Sequence, residues 1–288
     1  MRRWSVILVV VASLVAIACQ SGGDPGPGPG PTQTRPGPTK TAKGLPNSIT
    51  AIGDSITVAY ASCLLPQPCP RNSWSTGDSD RGGTHYQRLR ALNPAITGHA
   101  TNLAVVGARA SGLAAQARAA VDTRAEYVTV LVGANDACRP TAAEMTSAAD
   151  FRAQIDEALR ILKAGLPTAK VFVASVPDLY RLWDVGHAND TVVRVWNRGV
   201  CPSMLANPTS DAAADRKRRG EVRDRVTAYD TALSAACSKY GRLCDYDGGA
   251  VHRYRFEVKH LSPIDFFHPN ASGQQVLAEV TWKAGPYA

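Results

Sequence analysis

Short apolar runs recur along the chain and alternate with segments of helical character. The runs are rich in β-branched residues, which is typical of buried strands, and they lie at 49–52, 102–106, 127–132, 171–176 and 243–246. Apolar residues between them return every three or four positions, which predicts helices; the clearest sets are Phe151, Ile155, Ala158, Leu159 and Leu162, and Val222, Val226, Tyr229 and Leu233. This alternation predicts an α/β fold, a three-layer αβα sandwich with a central parallel sheet.

Local patterns predict where one of these helices begins and add a helix at the C-terminus. Thr141-Ala142-Ala143-Glu144 has the form of a capping box and is expected to open the helix that contains Phe151. Val276, Leu277 and Val280 predict a final helix.

Two long segments lack this periodicity. Residues 62–83 are loop-like, and residues 179–220 hold Trp183, Trp196 and Cys201 without a clear period. Long insertions in compact domains are usually functional or disordered, and the tryptophans and the cysteine favour order. We expect a folded domain at 44–288 with a cap-like insertion at about 179–220 that shapes the substrate pocket.

The first 43 residues have the composition of a leader and a tether. Residues 1–19 are typical of a secretory signal, with two arginines, an apolar run too short to span a membrane, and Ala-Ile-Ala before Cys19. Cleavage after Ala18 in ordinary secretion and lipidation of Cys19 in a bacterial lipoprotein are both compatible with this pattern. Residues 20–43, rich in Pro and Gly, are expected to form a disordered tether. The protein is therefore expected to be exported, with a membrane attachment if Cys19 carries lipid.

Cysteine count favours lipidation of Cys19. The chain has seven cysteines, and without Cys19 an even set remains: Cys63, Cys69, Cys138, Cys201, Cys237 and Cys244. An exported domain favours complete pairing into disulfides, but spacing does not determine connectivity. Pairing of sequence neighbours, 63–69, 138–201 and 237–244, is our expectation. No C-x-x-C pair or Cys/His cluster occurs, so no metal site is predicted.

Charge gives little indication of a partner. The chain carries a net charge of +8, of which residues 1–43 contribute half. The cluster Arg216-Lys217-Arg218-Arg219 lacks interleaved aromatic residues and is interpreted as a solvated helix start, so nucleic-acid binding is not expected. Attraction to anionic lipid headgroups stays open. A monomer is expected.

Four short segments carry residues that acyl-transfer chemistry needs. Gly53-Asp54-Ser55, Gly107 and Gly133-Ala134-Asn135-Asp136 each follow an apolar run, and Asp265-Phe266-Phe267-His268 lies near the C-terminus. Together they offer a nucleophile, oxyanion donors, and a base with an orienting carboxylate. Ser55 is expected at the head of a helix, where the helix dipole would favour negative charge. Each segment alone would be weak evidence for this chemistry, since a Ser can simply cap a helix and a Gly can simply form a turn.

As a set, these segments resemble those of the SGNH (GDSL-type) hydrolase family, from residue 49 to the last helix. The resemblance implies that Ser55 is the nucleophile, His268 the base and Asp265 its partner. It assigns the oxyanion hole to the backbone N–H groups of Ser55 and Gly107 and to the Asn135 amide. Ala104 departs from the family, in which a Gly is common at that position. The Gly-x-Ser-x-Gly elbow of another large esterase fold is absent from the sequence.

The resemblance implies a serine esterase that works through an acyl-enzyme without metal or organic cofactor. The segments 176–179 and 201–205 are similar to those of phospholipase- and lipase-like bacterial members, so lipid esters are the first substrate expected. Deacetylation of a polysaccharide by the same triad is the alternative, and a catalytically silent binding lipoprotein is a third. The other histidines are interpreted as surface or structural residues: His85, His99, His187, His252 and His260. Asp54 and Asp136 are expected to orient loops.

Overall fold

The structure, a computed structural model, describes residues 44–288. The predicted signal peptide at 1–19, the predicted lipidation at Cys19 and the predicted tether at 20–43 lie outside the described residues. Within 44–288, no helix is both long enough and apolar enough to cross a membrane.

A five-stranded parallel sheet forms the centre of the domain. Its strands are β1 (Ile49–Gly53), β2 (Ala100–Asn102), β3 (Tyr127–Leu131), β4 (Lys170–Val173) and β5 (Cys244–Tyr246), in the order β2-β1-β3-β4-β5. Every residue of β1 and β3 is buried, which is typical of central strands covered on both faces.

Ten α-helices surround the sheet in the described part of the chain. They are α1 (His85–Leu92), α2 (Ala110–Asp122), α3 (Ala134–Ala137), α4 (Ala148–Gly165), α5 (Leu179–Gly186), α6 (Asp190–Trp196), α7 (Pro202–Leu205), α8 (Ala213–Tyr240), α9 (Ala250–Arg253) and α10 (Ala271–Lys283). Helices α2, α4 and α8 pack side by side. The buried His85 joins α1 to β3 and α10, with its Nδ1 3.0 Å from the Tyr127 hydroxyl and its Nε2 2.9 Å from Thr281 Oγ1. The predicted α/β sandwich is therefore confirmed.

Two local predictions were wrong. The run at 102–106 overlaps a strand only at Asn102. Beyond it the chain stays beside β1 as far as Val105 without forming a regular strand, and Val105 and Val106 are exposed. The segment 141–144 does not open a long helix, since the Thr141 hydroxyl donates to the Glu144 carboxylate instead of accepting from the backbone. Helix α4 begins later, after Ser147, whose side chain accepts from the Asp150 N–H.

The segment predicted as a cap contains α5, α6, α7 and the start of α8. One of its two tryptophans joins it to another part of the structure, and the other packs within it. Trp196 is buried and donates from Nε1 to the Phe266 carbonyl over 3.1 Å. Trp183 lies under the guanidinium of Arg219, whose Cζ is 4.3 Å from the ring centroid. Arg219 is buried there, so the interpretation of 216–219 as wholly solvated was wrong at this residue.

Three disulfides close the described domain: Cys63–Cys69, Cys138–Cys201 and Cys237–Cys244. These are the pairs of sequence neighbours that we expected. The second joins the segment after Asn135 to the start of α7, so the cap is covalently tied to the loop that follows β3.

Candidate active site

Ser55 lies just beyond the carboxyl end of β1, where a glycine allows close strand packing. Gly53 has φ of +145°, and a Cβ at this position would lie 2.0 Å from the Leu131 carbonyl oxygen of β3. No side chain fits there, so β1 can end beside β3 only with glycine. Asp54 N–H then donates to the same carbonyl over 3.2 Å, and the chain turns to present Ser55.

The helix expected after Ser55 is not present. Residues 55–63 form successive turns, with Tyr60 N–H donating to the Ser55 carbonyl over 2.9 Å. Ala59 and Ala61 have φ of +54° and +59°, which a right-handed helix cannot accommodate. The prediction that a helix dipole stabilises charge at Ser55 was therefore wrong.

Asp265, His268 and Ser55 form a continuous chain of hydrogen bonds. His268 Nε2 is 2.8 Å from Ser55 Oγ, and His268 Nδ1 is 2.6 Å from Asp265 Oδ2. The second carboxylate oxygen of Asp265 accepts from the backbone N–H groups of Phe267 and His268, at 2.9 and 3.0 Å. The tight turn at 265–268 thus fixes both the carboxylate and the imidazole ring.

The contacts of Asp265 keep it ionised. Burial alone would raise its pKa, but the hydrogen bond and charge of His268, with the two backbone N–H groups, outweigh burial and lower the pKa below its usual value. An ionised carboxylate accepts from Nδ1–H, which leaves Nε2 as the nitrogen that can take a proton from Ser55. The ring of Tyr60 packs against His268 with centroids 4.8 Å apart.

Gly107, in a turn, and Asn135, in the short helix α3, lie side by side at the same edge of the sheet. Val105 N–H donates to the Gly53 carbonyl over 3.1 Å, which brings this loop alongside the end of β1. Gly107 has φ of +76° in a turn closed by a bond from Ala108 N–H to the Val105 carbonyl, so glycine suits the position. The Asn135 amide donates to the Ala108 carbonyl over 3.0 Å and joins α3 to this turn.

Two buried carboxyl groups support these loops, as expected for Asp54 and Asp136. Asp136 accepts from Ala110 N–H at 2.9 Å and from the Thr146 hydroxyl at 2.8 Å. Asp54 accepts from Ile56 N–H at 2.9 Å. Burial, with a smaller effect of the nearby Asp136 charge, raises the pKa of Asp54 to about 7.

A second Asp–His pair, which sequence reasoning missed, holds the segment that follows β4. Asp230 on α8 accepts from Val176 N–H at 2.8 Å, and its other oxygen is 2.9 Å from His252 Nδ1. The same Nδ1 is 3.1 Å from the Val176 carbonyl. Val176 packs against Gly133, since a Cβ on that glycine would lie 2.6 Å from Val176 Cγ2. The pair is separated by 22 residues in sequence, and no motif marked it.

A small apolar pocket adjoins the triad. It has a volume of about 40 Å³ and is lined chiefly by apolar side chains, among them Ile56, Leu179, Leu182, Phe256 and Phe267. Ile56 follows Ser55 and Phe267 precedes His268, so the pocket opens beside the reacting groups. Helix α5 of the cap supplies one wall. Among residues 44–288, no group of three or more potential ligands could hold a metal ion.

Together, the sheet topology and the hydrogen-bonded Asp–His–Ser chain at its carboxyl edge define a hydrolase of the SGNH fold class. The family model described as "GDSL-like Lipase/Acylhydrolase family" matches residues 51–276. The chain belongs to this family.

Curated relatives match only part of the chain. Human "Phospholipase B1, membrane-associated" is 29% identical over 182 residues, which cover 53% of this chain and 12% of the relative. The mouse protein of the same name is 30% identical over 169 residues, 48% of this chain and 11% of the relative. The chain thus spans a small fraction of the length of these relatives.

Solved structures share the fold at low sequence identity. A Parabacteroides merdae protein assigned as a GDSL-like lipase has a TM-score of 0.53 at 13% identity, with 85% of this chain and 98% of that chain covered. A catalytic mutant of an acetylxylan esterase from Geobacillus stearothermophilus has a TM-score of 0.51 at 13% identity, with 84% and 94% covered. At such identities the likeness concerns the fold.

Proposed function

We propose that the protein is a serine esterase that hydrolyses carboxylic esters through an acyl-enzyme. The observation that carries the proposal is the continuous hydrogen-bonded chain from Asp265 through His268 to Ser55. Ser55 Oγ attacks the ester carbonyl carbon while His268 Nε2 takes the hydroxyl proton. The imidazolium then protonates the leaving alcohol, and Asp265 stabilises the positive charge on the ring.

The oxyanion of the tetrahedral intermediate needs preorganised donors, which this edge of the sheet supplies. We assign them to the backbone N–H groups of Ser55 and Gly107 and to the Asn135 amide. Asn135 uses one amide N–H on the Ala108 carbonyl, and an amide nitrogen carries a second. After the alcohol leaves, a water molecule deprotonated by His268 attacks the acyl-enzyme and releases the carboxylic acid.

Acyl esters of lipids are the substrates we favour, because the pocket beside Ser55 is almost wholly apolar. An alkyl chain placed against Leu179, Leu182 and Phe256 would bury surface without leaving polar groups unpaired. The names of the phospholipase relatives agree with this choice.

A second candidate, removal of acetyl groups from a polysaccharide, is favoured by the size of the pocket. A volume of about 40 Å³ suits a short acyl group. The acetylxylan esterase that shares the fold is named for such an activity. A series of p-nitrophenyl esters from acetate to palmitate separates the two candidates. A maximum at acetate supports deacetylation, and a maximum at longer chains supports lipid hydrolysis.

Substitution of Ser55 tests the proposed chemistry. We expect Ser55→Ala to lower kcat/KM for p-nitrophenyl butyrate by at least ~10³-fold, since the nucleophile is lost. Ser234→Ala, on the exposed face of α8, is the matched control and should leave the rate unchanged. Equal rates in Ser55→Ala and the wild-type protein would refute the assignment.

A further inference from the structure

Exposed large apolar side chains are concentrated around the candidate active site. In the described part of the chain they are Leu64, Leu65, Leu92, Val105, Val106 and Ile264. All except Leu92 belong to three loops that border Ser55. We call these five residues the apolar rim.

A disulfide holds the most prominent part of the apolar rim. Leu64 and Leu65 are 62% and 52% exposed, and the Cys63–Cys69 bond closes the loop that carries them. Backbone bonds from Ala61 N–H to the Gln67 carbonyl and from Gln67 N–H to the Leu65 carbonyl, at 3.0 and 2.8 Å, brace the same loop. Two leucines held outward on a cross-linked loop can contact a partner with little loss of conformational entropy.

The rest of the apolar rim is physically connected to this loop and to the triad. Ile264 directly precedes Asp265, and Ser262 Oγ in its loop donates to the Ala61 carbonyl over 2.8 Å. Val105 and Val106 directly precede Gly107. These loops share the carboxyl edge of the sheet, so a surface that contacts the apolar rim lies next to the entrance to Ser55.

Leu92 shows that apolar exposure elsewhere is isolated. It is 53% exposed at the end of α1, and the neighbouring Asn93 donates from its amide to the Pro46 carbonyl over 3.0 Å. Pro46 precedes β1, so Leu92 lies at the amino edge of the sheet, opposite Ser55. It therefore offers a matched control for the apolar rim.

Cationic side chains accompany the apolar rim. Arg71 and Arg81 are exposed and line an open groove with Leu64 and Asp80, and the exposed Arg109 follows Gly107 by two residues. Residues 44–288 carry 27 Lys and Arg against 23 Asp and Glu, a net charge of +4. Apolar side chains flanked by arginines complement an anionic lipid surface, where alkyl groups enter the interface and guanidinium groups meet phosphates.

We propose that the apolar rim docks the catalytic edge of the domain onto an anionic phospholipid bilayer. The docked protein presents Ser55 to acyl esters at the lipid–water interface. The delivery of an ester to Ser55 rests on the proposed esterase function. Docking itself is a separate property of the surface.

The test compares the full chain with two variants, Leu64→Asn/Leu65→Ser and Leu92→Ser. Asn is chosen at position 64 because Leu64 has φ of +62°, which Asn tolerates. Binding is measured by co-sedimentation with phosphatidylcholine vesicles containing phosphatidylglycerol. We expect the double variant to bind at least ~5-fold more weakly and Leu92→Ser to remain within about twofold of wild type. Equal binding by all three proteins, or equal loss in both variants, would overturn the proposal.

A second readout separates docking from catalysis. Hydrolysis of an ester packed in the same vesicles should fall in the double variant, while its rate on monomeric p-nitrophenyl acetate stays that of wild type. Vesicle binding that depends on Leu64 and Leu65 in a protein without activity would support docking and remove the esterase proposal. An active double variant with undiminished vesicle hydrolysis would remove docking and leave the esterase.

Discussion

The domain contains two Asp–His pairs with similar distances between a carboxylate oxygen and Nδ1 and with different surroundings. In each, a carboxylate oxygen lies within 3 Å of a histidine Nδ1, at 2.6 Å for Asp265–His268 and 2.9 Å for Asp230–His252. In the first pair, Nε2 reaches the Ser55 hydroxyl. In the second, the carboxylate and the ring both bind the backbone of Val176. An Asp–His pair is thus a catalytic candidate only when its free ring nitrogen faces a group that can lose a proton.

The second pair has a positioning role in this comparison. It fixes Val176 by both its N–H and its carbonyl, and Val176 packs on Gly133 at the start of the Asn135 turn. The next residues, Pro177 and Asp178, line the apolar pocket and lead into α5. The pair therefore supports the turn that carries Asn135 and one wall of the pocket without meeting substrate.

The largest expected difference between the pairs is in turnover. We expect His268→Ala to lower kcat/KM for p-nitrophenyl butyrate by ~10³-fold or more, because no base remains to activate Ser55. His252→Ala should stay within about tenfold of wild type, with the change mainly in KM as the pocket wall relaxes. Losses of kcat/KM of equal size in the two variants would contradict the different roles assigned to the two pairs.

A smaller effect is expected on stability. Asp230→Ala leaves the buried Val176 N–H without its acceptor and removes the partner of His252, so the free energy of unfolding should fall by ~1–3 kcal/mol. Asp224→Ala on the same helix is the control, since that side chain is 74% exposed and should change stability by less than ~0.5 kcal/mol. Urea unfolding monitored by circular dichroism measures both. A wild-type midpoint in Asp230→Ala would contradict the bracing role.

The smallest and most specific expected effect is on the pH dependence of stability. The close contact of its Nδ1 with the Asp230 carboxylate, which outweighs partial burial, raises the pKa of His252 above 6.5. The stabilisation linked to His252 is thus complete below pH 6.5 and is lost as pH rises through the pKa in the folded protein. Asp265 has the opposite sign: its pKa lies below 3.8, so its contribution is present above that pH and is lost as pH falls through the lowered value.

Each pair should therefore affect the free energy of unfolding in its own pH range. His252→Gln should flatten the decline in unfolding free energy above pH 6.5, and Asp265→Asn should flatten the decline on the acid side below pH 3.8. The other carboxyl groups near His252, Asp178 and Asp247, remain in place in both variants. Chemical denaturation from about pH 3 to 9 provides the measurement. A His252→Gln profile that matches wild type above pH 6.5 would show that the imidazole is not coupled to Asp230.

Ser55, Asp265 and His268 could be identified from the sequence because each lies in a short local motif. Ser55 lies two residues after the glycine that ends an apolar run, and Asp265 and His268 are close enough in sequence for one turn to hold both. The fold class followed from the same logic, since strand and helix periods are local properties. What local patterns cannot supply is the meeting of distant segments.

The wrong predictions and the missed pair all depend on contacts between segments that are distant in sequence. The positive φ of Ala59 and Ala61, which prevents a helix after Ser55, depends on packing and not on residue type. Arg219 is buried because Trp183 from another helix covers it. The Asp230–His252 pair forms between α8 and α9 beside Val176, in the segment that follows β4, and this contact has no sequence signature.

The hydrogen bond from Trp196 to the Phe266 carbonyl has a consequence for protein engineering. The loop that carries His268 is held partly by α6. Chimaeras that exchange residues 179–220 for the corresponding segment of another family member therefore replace one support of that loop. Such grafts would alter turnover along with acyl selectivity unless an indole donor is retained at position 196.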